Sequence, residues 1–276
     1  MTATVPRPVV LDAPSGWRTV DFISDLHLHV SEPATFEAWR HCLLHTSADA
    51  VLLLGDIFEV WVGDDAVTPG SFEAHCQAVL QQASQRRPVY FMAGNRDFLV
   101  GSRFLAACGL HPLSDPTCLR SPTGAAWLLS HGDALCLDDH DYLRFRAQVR
   151  RHDWQQAFLH RPLAERQAFA RQLRQDSEAR KRSGAVYADL DTAACRQWLH
   201  RAEAPTLIHG HTHRPRNHDL GQGLQRVVLS DWALDQAPAR AEVLRLDLSS
   251  GAFQRLSPAA ATDAAVAAAP PAHAAP

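Results

Sequence analysis

Short apolar runs alternate with stretches of helical periodicity along the first part of the chain. The runs end at Gly, Asn or Asp, and they predict strands at residues 19–24, 50–54 and 88–92. The stretches between them predict helices at residues 35–45, 72–85 and 102–108. Strands and helices in this alternation indicate an α/β fold.

The second part of the chain contains further strands and a helical interruption. Strands are predicted at residues 117–120, 126–130, 206–209, 225–229, 242–247 and 252–256. Between residues 140 and 201 no strand pattern is found, and Trp154, Phe158, Leu163, Phe169 and Leu173 recur at mostly helical spacings. We therefore expect a core domain at residues 18–257, with a helical cap inserted at about 140–201.

The two ends of the chain lack the pattern of packed elements. Residues 1–17 predict a flexible leader, and residues 258–276, which are almost all Ala and Pro, predict a disordered tail because proline opposes a helix. The leader has no apolar stretch of the signal-peptide type, and the longest apolar run is far too short for a membrane span. These features predict a cytoplasmic protein.

Composition and charge exclude several classes of protein. The chain has 276 residues, of which 46% are hydrophobic and 21% charged, which excludes a disordered chain, a collagen-like fibre and a disulfide scaffold. Its six cysteines form no C-x-x-C pair, so we expect free thiols rather than a zinc ribbon. The net charge of −3 gives no reason to expect nucleic-acid binding, although residues 140–182 carry eleven basic against five acidic side chains.

Polar motifs rich in Asp and His follow the predicted strands. They are Asp25-Leu26-His27, Gly55-Asp56, Gly94-Asn95-Arg96-Asp97, Ser130-His131-Gly132-Asp133 and His209-Gly210-His211-Thr212-His213. In extended backbone, residues two apart point to the same side, so the Asp and His of the first motif can converge. Taken singly, each motif has an ordinary explanation: a surface loop, a helix N-cap at Asp56 or Asp97, or a core histidine at His209.

Taken together, the motifs predict a metal centre at one edge of the core. Oxygen and imidazole donors without thiolate suit Mn²⁺, Fe²⁺ or Zn²⁺. The candidate ligands are Asp25, His27, Asp56, Asn95, His131, His211 and His213. Seven donors are too many for one ion, whereas two ions that share Asp56 would use them all. Two neighbouring metal ions are suited to hydrolysis at phosphorus.

The order D-x-H, G-D, G-N-R-D, H-G-D and G-H-x-H resembles the calcineurin-like metallophosphoesterase superfamily. The resemblance implies a four-layer αββα sandwich with two divalent metal ions, most often Mn²⁺, at the strand edges. It assigns Asp25, His27, Asp56 and His213 to one ion. It assigns Asp56, Asn95, His131 and His211 to the other.

Longer stretches resemble one family within this superfamily. Residues 22–28, 55–65, 94–99 and 131–146 are similar to the UDP-2,3-diacylglucosamine pyrophosphohydrolases of the lipid A pathway, and the likeness extends over about residues 20–247. It implies that water attacks the α-phosphorus and releases UMP and 2,3-diacylglucosamine 1-phosphate. It further implies that the cap and the core receive the acyl chains and the glucosamine.

The same resemblance implies roles for individual residues. Asn95, Arg96 and His211 would hold and stabilise the phosphoryl oxygens, and Asp139 and Ser177 match positions that contact the substrate. After Ser177 the family pattern is broken, because Lys181 stands where Asn or Thr is usual and Gly184 where Lys is usual. Either Lys181 supplies the missing cation to the substrate or the register shifts.

Other functions remain open at this stage. They are another dimetal phosphoesterase acting on soluble nucleotides or phosphoproteins, a scaffold that has lost its metals, and a nuclease. Residues 58–65, the Asp138-Asp139 pair and the cap favour the lipid enzyme, the complete ligand set opposes the scaffold, and the acidic core opposes the nuclease. We expect a UDP-linked diacylglucosamine lipid as the partner, without nucleic acid or an obligate protein partner. The protein would lie peripherally on the cytoplasmic face of the inner membrane.

Overall fold

The computed structural model describes residues 5–182 and 188–263, except for the side chains of 173, 174 and 176–182. The strands of this part are β1 (Val9–Asp12), β2 (Thr19–Ile23), β3 (Ala50–Leu54), β4 (Val89–Met92), β5 (His111–Leu113), β6 (Thr117–Arg120), β7 (Ala126–Ser130), β8 (Thr206–His209), β9 (Arg216–Gly221), β10 (Leu224–Val228), β11 (Val243–Asp247) and β12 (Phe253–Leu256). The α-helices are α1 (Pro33–His45), α2 (Phe72–Ser84), α3 (Ser102–Cys108), α4 (His140–Val149), α5 (His152–Leu159), α6 (Leu163–Arg182) and α7 (Thr192–Ala202).

Two six-stranded sheets pack face to face. One has the order β12-β11-β2-β3-β4-β5 and the other β1-β6-β7-β8-β10-β9. Their facing sides bury one apolar cluster, to which Phe22 and Leu52 contribute from one sheet and Leu129 and Ile208 from the other. Helices α1, α2 and α3 cover the outer face of the first sheet, and α7 covers that of the second. The predicted four-layer αββα sandwich is confirmed.

The carboxyl ends of the central strands meet at one edge of the sandwich. β2, β3 and β4 are parallel neighbours in the first sheet, and β7 and β8 are parallel neighbours in the second. β2, β3 and β8 are buried at every position; β3 is accordingly a continuous apolar run, whereas β2 buries Thr19 and Asp21 between its apolar residues. This topology brings all five polar motifs to the same edge, where open α/β sheets place their ligands.

The cap consists of α4, α5 and the described part of α6. Trp154, Phe158 and Phe169 of these helices pack against the sandwich near Phe58 and Trp61. A buried arginine, Arg166 on α6, donates to a carboxylate oxygen of Asp65 at 2.9 Å and so fixes the cap to the loop after β3.

Three predicted boundaries were wrong. Residues 9–12 of the expected leader form β1, which pairs in parallel with β6 at the edge of the second sheet. The expected cap ends too late, because α7 buries Cys195 and Leu199 against the second sheet and belongs to the sandwich. The expected tail begins too early, because Ala261 is buried in a short 3-10 helix (Ala260–Thr262) and its carbonyl accepts from Arg245 at 2.8 Å. Residues 264–276 lie outside the described residues.

Two further features concern the cysteines and the apolar character of the helices. The six cysteines are free and buried, which confirms that they are isolated thiols. Within residues 5–182 and 188–263, no helix combines the length and the apolar character needed to cross a bilayer.

Candidate metal centre

Most of the predicted ligands lie in strained backbone just beyond their strands. The φ angle is 53° at Asp25, 48° at His27, 54° at Asp56, 68° at His211 and 54° at His213. This left-handed region is unfavourable for residues with side chains and is concentrated at functional sites. The expectation that an extended backbone makes neighbouring motif residues converge was therefore wrong. They converge because the chain turns sharply at each of them.

Two glycines permit the close approach of the turns. A side chain at Gly94 would collide with the carboxylate and backbone of Asp56, and one at Gly210 would collide with Asp25 and Ser24. Each glycine therefore lets the backbone of one motif pack directly on the carboxylate of another.

Asp25, His27 and His213 form a first cluster. The Nε2 atoms of the two histidines are 3.2 Å apart, and Nε2 of His213 lies 3.3 Å from Oδ1 of Asp25. One potential ligand atom from each of the three residues lies within 4.8 Å of the other two, which is close enough for all three to bind one metal ion. The backbone N–H of His211 donates to Asp25 at 3.0 Å and holds the carboxylate in place.

Asn95, His131 and His211 form a second cluster. Oδ1 of Asn95 lies 2.9 Å from Nε2 of His131 and 2.8 Å from Nδ1 of His211. Asp56 lies between the clusters, with its Oδ1 3.6 Å from Nε2 of His131, and it also groups with Asp25 and His131 as a ligand set. The structure thus brings all seven predicted ligands together and places Asp56 where it could bridge two ions.

The electrostatics of the clusters favour a bound cation. Burial lowers the pKa of His131, but the carboxylates of Asp56, Asp25 and Asp133 outweigh it and raise that pKa to about 9. Burial raises the pKa of Asp25, but the hydrogen bond and charge of His213 bring it below its usual range. Buried carboxylates and imidazoles this close together form the donor set that hard to borderline divalent metals prefer, so the residues fit a metal centre.

Oxygen atoms next to Nδ1 orient the rings of three predicted ligand histidines. Nδ1 of His131 donates to the carbonyl of Leu54 at 3.0 Å, which turns Nε2 towards the cluster, where it can bind a metal ion once its own proton is released. Nδ1 of His27 lies 3.4 Å from Glu59, and Nδ1 of His213 lies 3.5 Å from Asp231. Sequence reasoning missed these two carboxylates. Asp231 could have been found, since it follows β10 as the other motifs follow their strands.

Asp97 holds two ligand loops together. Its carboxylate accepts from the backbone N–H of Gly94 at 2.7 Å and from that of Ile57 at 2.8 Å. Burial and the charge of Asp56 raise the pKa of Asp97 to about 6. Neither Asp97 nor Asp56 serves as the helix N-cap considered from the sequence, because both carboxylates accept from backbone groups of these loops.

A second buried network joins the cap to the edge of the sandwich that carries the two clusters. Asp133, two residues after His131, accepts from Tyr142 and, at 2.8 Å, from Nε of Arg146. The ring of Tyr142 stacks on His211, with centroids 6.1 Å apart and planes 29° apart. Burial raises the pKa of Asp133, but the charges of Arg146, His131 and Arg150 outweigh it and bring it far below its usual range. The first cap helix is therefore part of the wall of the site.

An apolar pocket opens beside the two clusters, between the cap and the core. It spans about 520 Å³, including space that is open to solvent. Its polar end is formed by Glu59, Asn95 and Arg96. Its apolar wall includes Trp61, Phe98, Leu99, Phe145, Trp154, Phe158 and Phe169. The cap aromatics thus pack against the core and also line a cavity.

Asp139 and His209 lie outside the two clusters. Asp139 caps α4 by accepting from the backbone N–H of Tyr142 at 3.0 Å. Ser177 and Lys181 lie on α6, but their side chains are outside the described residues. His209 is buried and contacts the carbonyl of Gly210 at 2.8 Å, which agrees with the expected core histidine.

This fold and this pair of clusters define a metal-dependent hydrolase of phosphoric esters or anhydrides. The sequence profile of the calcineurin-like phosphoesterase family matches residues 18–215. That range begins just before β2 and contains all seven predicted ligands.

Comparison with bacterial relatives identifies the particular family within the calcineurin-like phosphoesterases. A UDP-2,3-diacylglucosamine hydrolase of Chromobacterium violaceum is 45% identical over 222 residues, which cover 77% of this chain and 90% of the relative. The protein of the same name from Bordetella pertussis is 42% identical over 81% of this chain and 90% of the relative. That from Stenotrophomonas maltophilia K279a is 39% identical over 87% of this chain and 99% of the relative. The chain belongs to the UDP-2,3-diacylglucosamine hydrolase family of the calcineurin-like phosphoesterases.

Proposed function

We propose that the protein hydrolyses the pyrophosphate bond of UDP-2,3-diacylglucosamine at the α-phosphorus and yields UMP and 2,3-diacylglucosamine 1-phosphate. The observation that carries this proposal is the position of the apolar pocket, whose polar end contains Asn95 and Arg96. A substrate with acyl chains in the pocket would bring its phosphates to these two residues. The names of the relatives support the same substrate.

The residues of the two clusters are proposed to hold two divalent ions, with Mn²⁺ as the expected metal. Asp25, His27 and His213 would bind one ion, Asn95, His131 and His211 the other, and Asp56 both. Such a pair of ions supplies an activated water near neutral pH and neutralises charge on the phosphoryl group.

The chain's own side chains would bind and orient the substrate. Arg96 can form paired hydrogen bonds with phosphate oxygens, which a planar guanidinium does well. The backbone N–H of Arg96 donates to Asp56 at 2.8 Å, so the same residue fixes a proposed ligand and would bind the phosphate. His211 and Asn95 would stabilise charge that develops on the phosphoryl oxygens. Asp139, Ser177 and Lys181 are proposed to contact the glucosamine or its phosphate.

The protein is proposed to work at the cytoplasmic surface of the inner membrane, from which it would draw its lipid substrate. An apolar pocket between a basic cap and the core suits an anionic lipid. No nucleic acid and no obligate protein partner is required by this proposal.

The test uses two substrates that differ only in their acyl chains. Purified protein with Mn²⁺ and detergent is incubated with UDP-2,3-diacylglucosamine or with UDP-glucosamine, and the release of UMP is measured. We expect metal-dependent release from the acylated substrate, strong preference over the unacylated one, and loss of both after EDTA treatment. Equal turnover of the two would favour a soluble-nucleotide phosphoesterase instead.

A further inference from the structure

The two histidines of the first cluster each have a carboxylate behind the ring. Oε2 of Glu59 lies 3.4 Å from Nδ1 of His27, and Oδ2 of Asp231 lies 3.5 Å from Nδ1 of His213. A carboxylate behind a ligand histidine makes the opposite ring nitrogen a stronger donor to a metal. Both carboxylates are therefore placed to strengthen binding at the first cluster.

The two carboxylates differ in what holds them. Asp231 is held at both carboxylate oxygens by Arg240, whose Nε donates to Oδ1 at 2.7 Å and whose Nη2 donates to Oδ2, the oxygen nearest His213. Glu59 instead has its second oxygen, Oε1, 3.7 Å from a guanidinium nitrogen of Arg96. Glu59 thus stands between a metal-ligating imidazole and the arginine that faces the pocket.

We propose that Glu59 is a positioning residue that couples metal binding at His27 to phosphate binding at Arg96. The inference rests on the proposed function, because it takes Arg96 as a phosphate-binding residue. Asp231 has the same place behind its histidine without a link to Arg96, and it is the matched control.

The coupling follows from the competition for one negative charge. With no phosphate bound, the carboxylate of Glu59 is shared between His27 and Arg96 across partly buried contacts, with 15% of its side chain exposed. A phosphate that pairs with Arg96 weakens the attraction between Arg96 and this carboxylate, which strengthens the contact of the carboxylate with His27. By linkage, a metal ion bound to His27 draws Glu59 towards the ring and weakens its contact with Arg96. The metal ion therefore raises the affinity for phosphate by the same factor by which phosphate raises the affinity for the metal ion.

The experiment measures Mn²⁺ affinity by calorimetry, with and without UMP as the phosphate probe. It compares the unmodified protein with Glu59→Gln, Asp231→Asn, Arg96→Gln and the double variant Glu59→Gln/Arg96→Gln. Thermal denaturation of the metal-free proteins checks that each variant folds. Because UMP also binds the metals directly, the decisive quantity is the part of the UMP effect that disappears in Arg96→Gln.

We expect Glu59→Gln and Asp231→Asn each to weaken Mn²⁺ binding at one site about 10- to 100-fold. Asp231→Asn should retain the part of the UMP-induced increase in Mn²⁺ affinity that depends on Arg96. Glu59→Gln should lose this part of the increase, and the double variant should lose no more than Glu59→Gln does. Wild-type Mn²⁺ affinity in Glu59→Gln, or a retained enhancement, would overturn the proposal. These measurements need no lipid substrate, so the two proposals can fail separately. If the proposed function is wrong, UDP-2,3-diacylglucosamine is not hydrolysed, although Mn²⁺ and UMP binding can still be coupled through Glu59.

Discussion

Arg150, at the C-terminal end of the first cap helix, donates a hydrogen bond to the backbone carbonyl of Gly94 at 2.7 Å. Gly94 directly precedes Asn95, whose side-chain oxygen contacts both His131 and His211. The cap is thus tied to the loop that carries part of the metal centre. A movement of the cap on substrate binding would be transmitted to that loop.

Replacement of Arg150 should impair turnover through this contact. We expect Arg150→Gln to lower kcat/KM about tenfold, because a hydrogen bond from a charged donor contributes about 1.5–3 kcal/mol. Steady-state kinetics on the acylated substrate measure the effect. Arg151→Gln is the control, since its partner is the exposed Asp153. Equal losses in the two variants would show that general cap charge, rather than the contact to Gly94, is responsible.

Trp154 should determine recognition of the acyl chains. Its ring stacks on Phe158 with planes 9° apart and lines the pocket. We expect Trp154→Ala to raise KM for UDP-2,3-diacylglucosamine at least about tenfold, which corresponds to 1.4 kcal/mol of lost apolar contact. Hydrolysis of a generic phosphodiester should not change.

The matched control for this prediction is Trp198→Ala, on the sandwich helix α7 away from the pocket. That variant should lose stability in urea while it keeps the KM of the unmodified protein. If Trp154→Ala binds the lipid as tightly as Trp198→Ala does, the pocket is not the acyl site.

The pair Asp189–Arg226 should make stability depend on pH. Hydrogen bonds from Arg226 lower the pKa of Asp189 to about 2, against about 3.9 in an unfolded chain. The pair therefore stabilises the fold fully above pH 4, and this contribution is lost as the pH falls from about 4 to 2. Urea midpoints of the metal-free protein should exceed those of Asp189→Asn at pH 7, and the two should converge towards pH 2. A constant difference across this range would contradict the assignment.

Local patterns predicted the alternation of strands and helices and the convergence of the motifs, whereas the four-layer sandwich was implied by the resemblance to a known superfamily. Buried parallel strands such as Ala50–Leu54 are continuous apolar runs, and polar residues that follow them must meet at one sheet edge. Strand β5 was missed because its three residues are mostly exposed and include Pro112, and β9 because its residues are mainly polar. No apolar signal marks such strands.

The parts of the site that were missed depend on long-range packing. Glu59 backs His27 only because the loops after β2 and β3 run side by side, with Leu28 bridged to Phe58. Asp133 meets Tyr142 and Arg146 only once the cap has docked. Sequence spacing carries no information about these contacts, whereas the ligands themselves are recognisable from their position after strands.

His131 should be required for metal binding but not for folding. Its Nε2 faces Asn95 and Asp56 within the clusters. We expect His131→Ala to bind about one Mn²⁺ fewer per chain and to show no detectable turnover, while the metal-free protein still folds cooperatively. Metal analysis, kinetics and calorimetry give the three readouts. His45→Ala, on the exposed face of α1, is the control. Unfolding of His131→Ala would instead make this site structural.

The central claim is that water attacks the α-phosphorus of a UDP-linked lipid. It is tested most directly by hydrolysis of UDP-2,3-diacylglucosamine in water labelled with oxygen-18, with Mn²⁺ present, followed by mass spectrometry of both products. We expect one labelled oxygen in UMP and none in 2,3-diacylglucosamine 1-phosphate. Label in the lipid phosphate would place the attack on the other phosphorus and contradict it.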